Sequence, residues 1–135
     1  MIDVERLAGA ELAGDVEKWM RDVPEGLAGA RQELVQALDA LRTDLQPSAL
    51  ILGGFSQGAM LALDVALRTE QNLAGLVLLS GTLIAADEWT PLMPARKGLP
   101  VLQSHGRADP LLPFAIAETL RDRLVHAGLE VRFVP

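Results

Sequence analysis

Apolar residues follow two rhythms along this chain, and the alternation between them predicts its architecture. From Pro24 onwards Leu27, Leu34, Leu38, Leu41 and Leu45 fall at helical spacing, which predicts an amphipathic helix with Pro24 in its first turn, ended before Pro47. Ala49-Leu50-Ile51-Leu52 is then a short unbroken apolar run before Gly53-Gly54, the pattern of a strand buried on both faces. Gln57 to Arg68 is helical in spacing and apolar almost all round, which predicts deep burial. The strand rhythm returns at Leu76-Val77-Leu78-Leu79 and at Pro100-Val101-Leu102-Gln103, with a long connection from Thr82 to Gly98 between them. Phe114 to Ala127 predicts a helix with Ala117, Leu120 and Leu124 inward and Gly128 as its cap, and Glu130 to Val134 a fourth strand. The first twenty-three residues are ambiguous, because Leu12, Val16 and Met20 keep helical spacing while Gly9 and Gly14 interrupt it.

Strands alternating with helices predict an α/β fold, a parallel sheet with helices on both faces and function at the carboxyl ends of its strands. With no internal repeat, residues 1–135 read as one domain. Half the residues are hydrophobic and 22% charged, the balance of a folded chain. A net charge of −6 lacks the basic footprint of a nucleic-acid partner. The absence of cysteine excludes disulfides, thiolate metal sites and a thiol nucleophile, and fits a reducing cytoplasm. Met1 to Ala10 carries Asp3, Glu5 and Arg6 in place of an apolar signal core, and no apolar run is long enough to span a membrane, so a soluble, cytoplasmic chain is expected.

Chemistry concentrates just after the first predicted strand, in Gly54-Phe55-Ser56-Gln57-Gly58, a G-x-S-x-G between strand and helix. Nucleophilic catalysis needs this arrangement. A sharp turn exposes the serine hydroxyl, small residues two before and two after let strand and helix approach, and the following helix directs its amino end at developing negative charge. The plainer alternative is a glycine-rich turn whose serine caps the helix. A phosphate-binding turn is excluded, because neither a Gly-Lys-Ser/Thr ending nor a G-x-G start is present. After the third strand comes Ser104-His105-Gly106-Arg107-Ala108-Asp109-Pro110, where Asp109 falls in the order serine, acid, histidine that would let it orient a histidine. Its plainer role is to start an Asp-Pro turn.

Leu52-Gly53-Gly54-Phe55-Ser56-Gln57-Gly58-Ala59-Met60, Leu79-Ser80-Gly81 and His105-Gly106-Arg107-Ala108-Asp109-Pro110-Leu111-Leu112-Pro113, taken together and in this order, resemble the phospholipase/carboxylesterase family. The resemblance runs from about Pro24 to Pro135. It implies an α/β-hydrolase fold, Ser56 as nucleophile, Asp109 as triad acid and the backbone N–H of Gln57 as an oxyanion donor, with no cofactor and no metal. The family also has a Leu-His-Gly loop ahead of this region and a catalytic histidine in a Gly-His segment after its last strand. Neither stands in this sequence, so a chain truncated at both ends is expected. Of the two histidines present, His105 precedes the acid and is implied to shape the loop, whereas His126 ends the last helix, where an imidazolium is ordinary surface chemistry.

The connection from Thr82 to Gly98 brings Leu83, Ile84, Trp89, Leu92 and Met93 past a strand end. Leu83 and Trp89 are candidates to wall an acyl pocket, packing of the loop onto the helices being the alternative. The expected function is a serine carboxylesterase acting on a short-chain, lysophospholipid or thioester substrate through an acyl-enzyme on Ser56. Its rival is a hydrolase fragment without turnover. Strand 49–52, lacking a partner on its outer side, is expected to promote dimers or association through an open sheet edge.

Overall fold

A computed structural model describes residues 13–135; Leu12 and the Met1–Ala10 stretch considered above lie outside them. Four parallel strands stand side by side in chain order: β1 (Ile51–Phe55), β2 (Gly75–Leu79), β3 (Pro100–Ser104) and β4 (Glu130–Val134). Helices α1 (Ala13–Arg21) and α2 (Leu27–Leu45) precede the sheet, and α3 (Gln57–Arg68) links β1 to β2. The predicted long connection contains α4 (Ala86–Trp89) and a 3-10 segment (Thr90–Arg96), and α5 (Phe114–His126) leads to β4. Gly128, at φ 96°, follows α5 and donates its N–H to the Val125 carbonyl, the left-handed helix ending expected of it.

Two elements depart by more than one residue from the bounds read in the sequence. Pro24 stands ahead of α2: its carbonyl accepts the Leu27 N–H at 3.2 Å, and Gly26 at φ 84° turns the chain into the helix. The first strand begins at Ile51 and continues through both glycines to Phe55, because pairing with Val77 and Leu78 supplies the ladder whatever the side chain. The apolar stripe of α2 also serves only part of its length. Leu27 and Leu38 are buried, but Leu41 and Leu45 are exposed, and the helix end is tied instead by Arg42, which donates to Gln71 Oε1 and the Asn72 carbonyl.

Register places Leu52, Leu76, Val101 and Val131 in one row, and Gly54, Leu78, Gln103 and Phe133 in the next row of the same face. That face is covered, by α3 over β1 and β2 and by α5 against β4, while α2, α4 and the 3-10 segment pack on α3. On the other face Ile51, Phe55, Leu79, Leu102 and Val134 are exposed. The cover expected on both faces is thus found on one among the described residues. Strand order explains it: β1 to β4 advance in one direction, and right-handed crossovers then set every connecting helix on the same side.

Helix α3 is the centre of the core, with every residue from Ala59 to Leu67 buried except the half-buried Leu61. One of them is charged. Asp64, 0% exposed, accepts hydrogen bonds from Arg31 Nε (2.7 Å), Arg68 Nε (2.7 Å) and Trp89 Nε1 (2.8 Å). Three donors satisfy the carboxylate and join α2, α3 and α4, the condition under which a buried charge is tolerated. Burial weighs against the charge of Arg68, yet the hydrogen bond and charge of Asp64, followed by those of Glu88, hold its pKa above the ordinary guanidinium value. No described helix is long and apolar enough to cross a membrane.

Candidate active site

The carboxyl ends of the strands form a staircase. Ser56, Ser80 and His105 each follow a strand, and each donates its backbone N–H to the last carbonyl of the next strand: Ser56 to Leu79 (2.8 Å), Ser80 to Ser104 (2.8 Å), His105 to Val134 (3.3 Å). Residues far apart in sequence therefore stand in line along one edge. At its β1 step the chain turns sharply into α3, with Ser56 at φ 55° and ψ −116°. A serine pays for such a backbone only where the surroundings impose it. It holds the N-terminal position of α3 but makes no side-chain capping hydrogen bond, so the capping role does not account for it.

The glycines show what imposes the turn. A Cβ on Gly54 would lie 2.2 Å from the Gly58 carbonyl oxygen and 2.6 Å from Ala59 N, inside backbone that cannot yield. Gly58 is different, since a Cβ there meets nothing within 4 Å among the described residues outside its own helical turn. The requirement for a small residue two before the serine is therefore met sterically, and the matching one two after it is not. Gly81 closes the next step of the staircase against the same helix, where a Cβ would stand 2.8 Å from that of Ala59.

Asp109 lies in the loop after β3, its side chain 19% exposed. Oδ1 accepts the backbone N–H groups of Leu111 (2.9 Å) and Leu112 (3.0 Å), and Oδ2 lies 3.7 Å from His105 Nε2. This is an Asx-type turn, as the Asp-Pro pair suggested, and it also fixes the carboxylate. His105 is buried under the loop and its Nε2 donates to the Leu112 carbonyl at 2.7 Å, which sets the proton on Nε2 and leaves buried Nδ1 without a hydrogen bond among the described residues. His126 is exposed at the end of α5, just before β4 begins, and so lies at the opposite edge of the sheet from Ser56. Gln57 opens α3, with its backbone at the positive end of the helix dipole.

The two candidate pocket residues require correction. Leu83 and Trp89 are both fully buried, and the Trp89 indole is spent on Asp64. Packing of the loop onto α3 describes them, because neither exposes surface to an acyl chain. Ser80 was missed in the sequence: it shares with Ser56 a positive φ, here 54°, which nothing in Leu79-Ser80-Gly81 announces. Among the described residues no three His, Asp or Glu side chains gather as a metal ion needs.

A parallel sheet with helical crossovers and a strained serine elbow at its carboxyl edge defines an α/β hydrolase. The phospholipase/carboxylesterase profile matches residues 17–135, and the chain belongs to that family. Acyl-protein thioesterase 1 of Neurospora crassa is 33% identical over 62% of this chain and 36% of its own length. Lysophospholipase-like protein 1 of Mus musculus is 33% identical over 83% of this chain and 49% of its own. Among solved structures, esterase PE8 matches with a TM-score of 0.61 at 34% identity, covering 79% of this chain and 51% of that one. Zea mays acyl-protein thioesterase 2 shares the fold, with a TM-score of 0.67 at 24% identity over 93% and 60% of the two chains. The chain thus spans from about a third to a half of the length of these curated relatives.

Proposed function

We propose that this chain carries the nucleophile and acid of a serine hydrolase acting on carboxylic esters or thioesters. One observation carries the reading: Ser56 is held in a strained turn at a helix amino end without capping that helix. In this reading Ser56 Oγ attacks the acyl carbonyl, and the oxyanion forms at the amino end of α3, where the Gln57 N–H stabilises it. The alcohol or thiol leaves with the proton, and water then releases the acid from the acyl-enzyme. Asp109 orients the histidine that serves as base. With Oδ1 occupied by two backbone N–H groups, Oδ2 is the oxygen left for that task. The names of the relatives, a thioesterase, a lysophospholipase-like protein and an esterase, support acyl esters as the substrate class. A cysteine-free sequence fits a cytoplasmic setting.

Fluorophosphonate labelling with imidazole supplied as base, followed by peptide mass spectrometry, tests the nucleophile. The label is expected on Ser56; a label on Ser80 or Ser104 with Ser56 unmodified would overturn the assignment.

A second reading, a chain without turnover of its own, is favoured by the histidines. His105 is buried and committed to the Leu112 carbonyl, and His126 lies at the wrong edge. Association belongs to the same reading. β1 is an outer strand among the described residues, and Ile51 and Phe55 are 65% and 69% exposed. An open apolar edge of this kind recruits another strand. Sedimentation at micromolar concentration is expected to show dimers or larger species, and a stable, well-folded monomer would count against it.

A further inference from the structure

Ser80 holds the strand end that separates Ser56 from Asp109. β2 lies between β1 and β3, with Ser56 following β1, Ser80 following β2 and Asp109 in the loop after β3. Neighbouring strands stand about 4.8 Å apart, which puts the ends of β1 and β3 roughly 10 Å from each other. An imidazole hydrogen-bonded through both nitrogens spans about 8 Å from acceptor to acceptor. A base that links the Asp109 carboxylate to Ser56 Oγ therefore crosses the end of β2, above Ser80.

The position of Ser80 is set from both sides. Its N–H donates to the Ser104 carbonyl at 2.8 Å, and the next residue, Gly81, is pressed against Ala59 in the first turn of α3. Its φ of 54° is one that glycine would adopt without strain, yet the residue is serine. What serine adds over glycine at such a place is a hydroxyl. The residue is half-buried, and its hydroxyl makes no hydrogen bond to the described residues. Strained backbone beside a reactive group is a feature that function explains better than packing does.

We propose that Ser80 is a positioning residue for the general base: its hydroxyl oxygen faces the imidazole and stabilises the imidazolium formed when the base takes the Ser56 proton. Ser80 exchanges no proton. The proton passes from Ser56 Oγ to the imidazole and then to the leaving alcohol or thiol. The role rests on the reading of Ser56 as nucleophile, and the experiment keeps the two apart.

The 135-residue chain is given free imidazole as its base, and p-nitrophenol release from p-nitrophenyl acetate is recorded as the excess over the Ser56→Ala form. Ser80→Ala keeps the strained backbone and removes the oxygen, Ser80→Gly removes both strain and oxygen, and Ser80→Asn tolerates the left-handed backbone and returns a polar oxygen. The Ala and Gly forms are expected to raise the half-saturating imidazole concentration about tenfold, the worth of one hydrogen bond, with the KM for the ester unchanged. Ser80→Asn is expected to recover most of the loss, and Ser80→Gly to unfold at a higher temperature than the unmodified chain. Should Ser80→Ala fail to fold, Ser80→Gly decides alone. Imidazole saturation unchanged in both forms, or altered in Ser80→Ala but not in Ser80→Gly, would overturn the positioning role while leaving Ser56 intact. Failure of the unmodified chain to show any Ser56-dependent release with imidazole would overturn both.

Discussion

Without an added base, hydrolysis of p-nitrophenyl acetate by these 135 residues is expected to match that of their Ser56→Ala form. Serine is a poor nucleophile until its proton is removed, and the imidazoles in this sequence that could take it are those of His105 and His126. His105 cannot serve. Its Nε2 is committed to the Leu112 carbonyl, its ring is buried, and turning it would release the loop that holds Asp109. His126 is separated from Ser56 by the length of the sheet. Loss of the base in a triad removes on the order of 10⁶ in rate, because the triad members act as one unit, and what survives comes from binding and the oxyanion site. A form extended by a histidine that reaches Ser56 is expected to regain several orders of magnitude of that loss. Steady-state rates of the three forms at equal concentration provide the measurement. Substantial Ser56-dependent turnover by the unextended chain would mean that a histidine from a second copy, or a rearranged His105, completes the site.

Much of this arrangement was legible in the sequence, for reasons that differ from element to element. Gln57–Arg68 was bounded correctly because an apolar run begins at a Gly-x-Ser turn and ends in Arg68. The elbow was legible because Gly54 is required by contact with backbone four residues on, a local constraint that leaves a local trace. Asp64 was not. Its partner Arg68 lies one turn away, but Arg31 and Trp89 come from other elements, 33 and 25 positions distant, and only packing brings them together. Leu83 and Trp89 failed as pocket residues for a similar reason, since an apolar loop residue looks the same whether it lines a cavity or closes the core. The single-sided cover follows from strand order, which alternating elements do not specify. Ser80 was hidden because a serine betrays nothing of its own φ.

The sharpest structural test separates the two glycines of the elbow. Gly54→Ala is expected to destroy the site: its Cβ would stand 2.2 Å from the Gly58 carbonyl oxygen and 2.3 Å from the Gly58 carbonyl carbon. These are backbone atoms of the first turn of α3, whose inner face carries Ala59, Met60 and Leu63 into the core, so the helix cannot step back without opening its contact with β1 and β2. Overpacking of this kind costs about 1–3 kcal/mol even where side chains can yield, and here only backbone is available to move. Whatever relaxation occurs also changes the turn that presents Ser56, so labelling by a fluorophosphonate in the presence of imidazole should fall about a hundredfold or more, as misplacement by an ångström does in other active sites. Gly58→Ala is expected to do the opposite. Among the described residues a Cβ there meets nothing within 4 Å, and the position lies inside α3, where alanine is favoured over glycine by about 0.5–1 kcal/mol. Thermal unfolding should therefore shift upwards for Gly58→Ala and downwards for Gly54→Ala, while labelling of Ser56 survives only in the former. Equal loss in both forms would show that the elbow is closed by contacts on both sides of the serine, contrary to the open space beside Gly58.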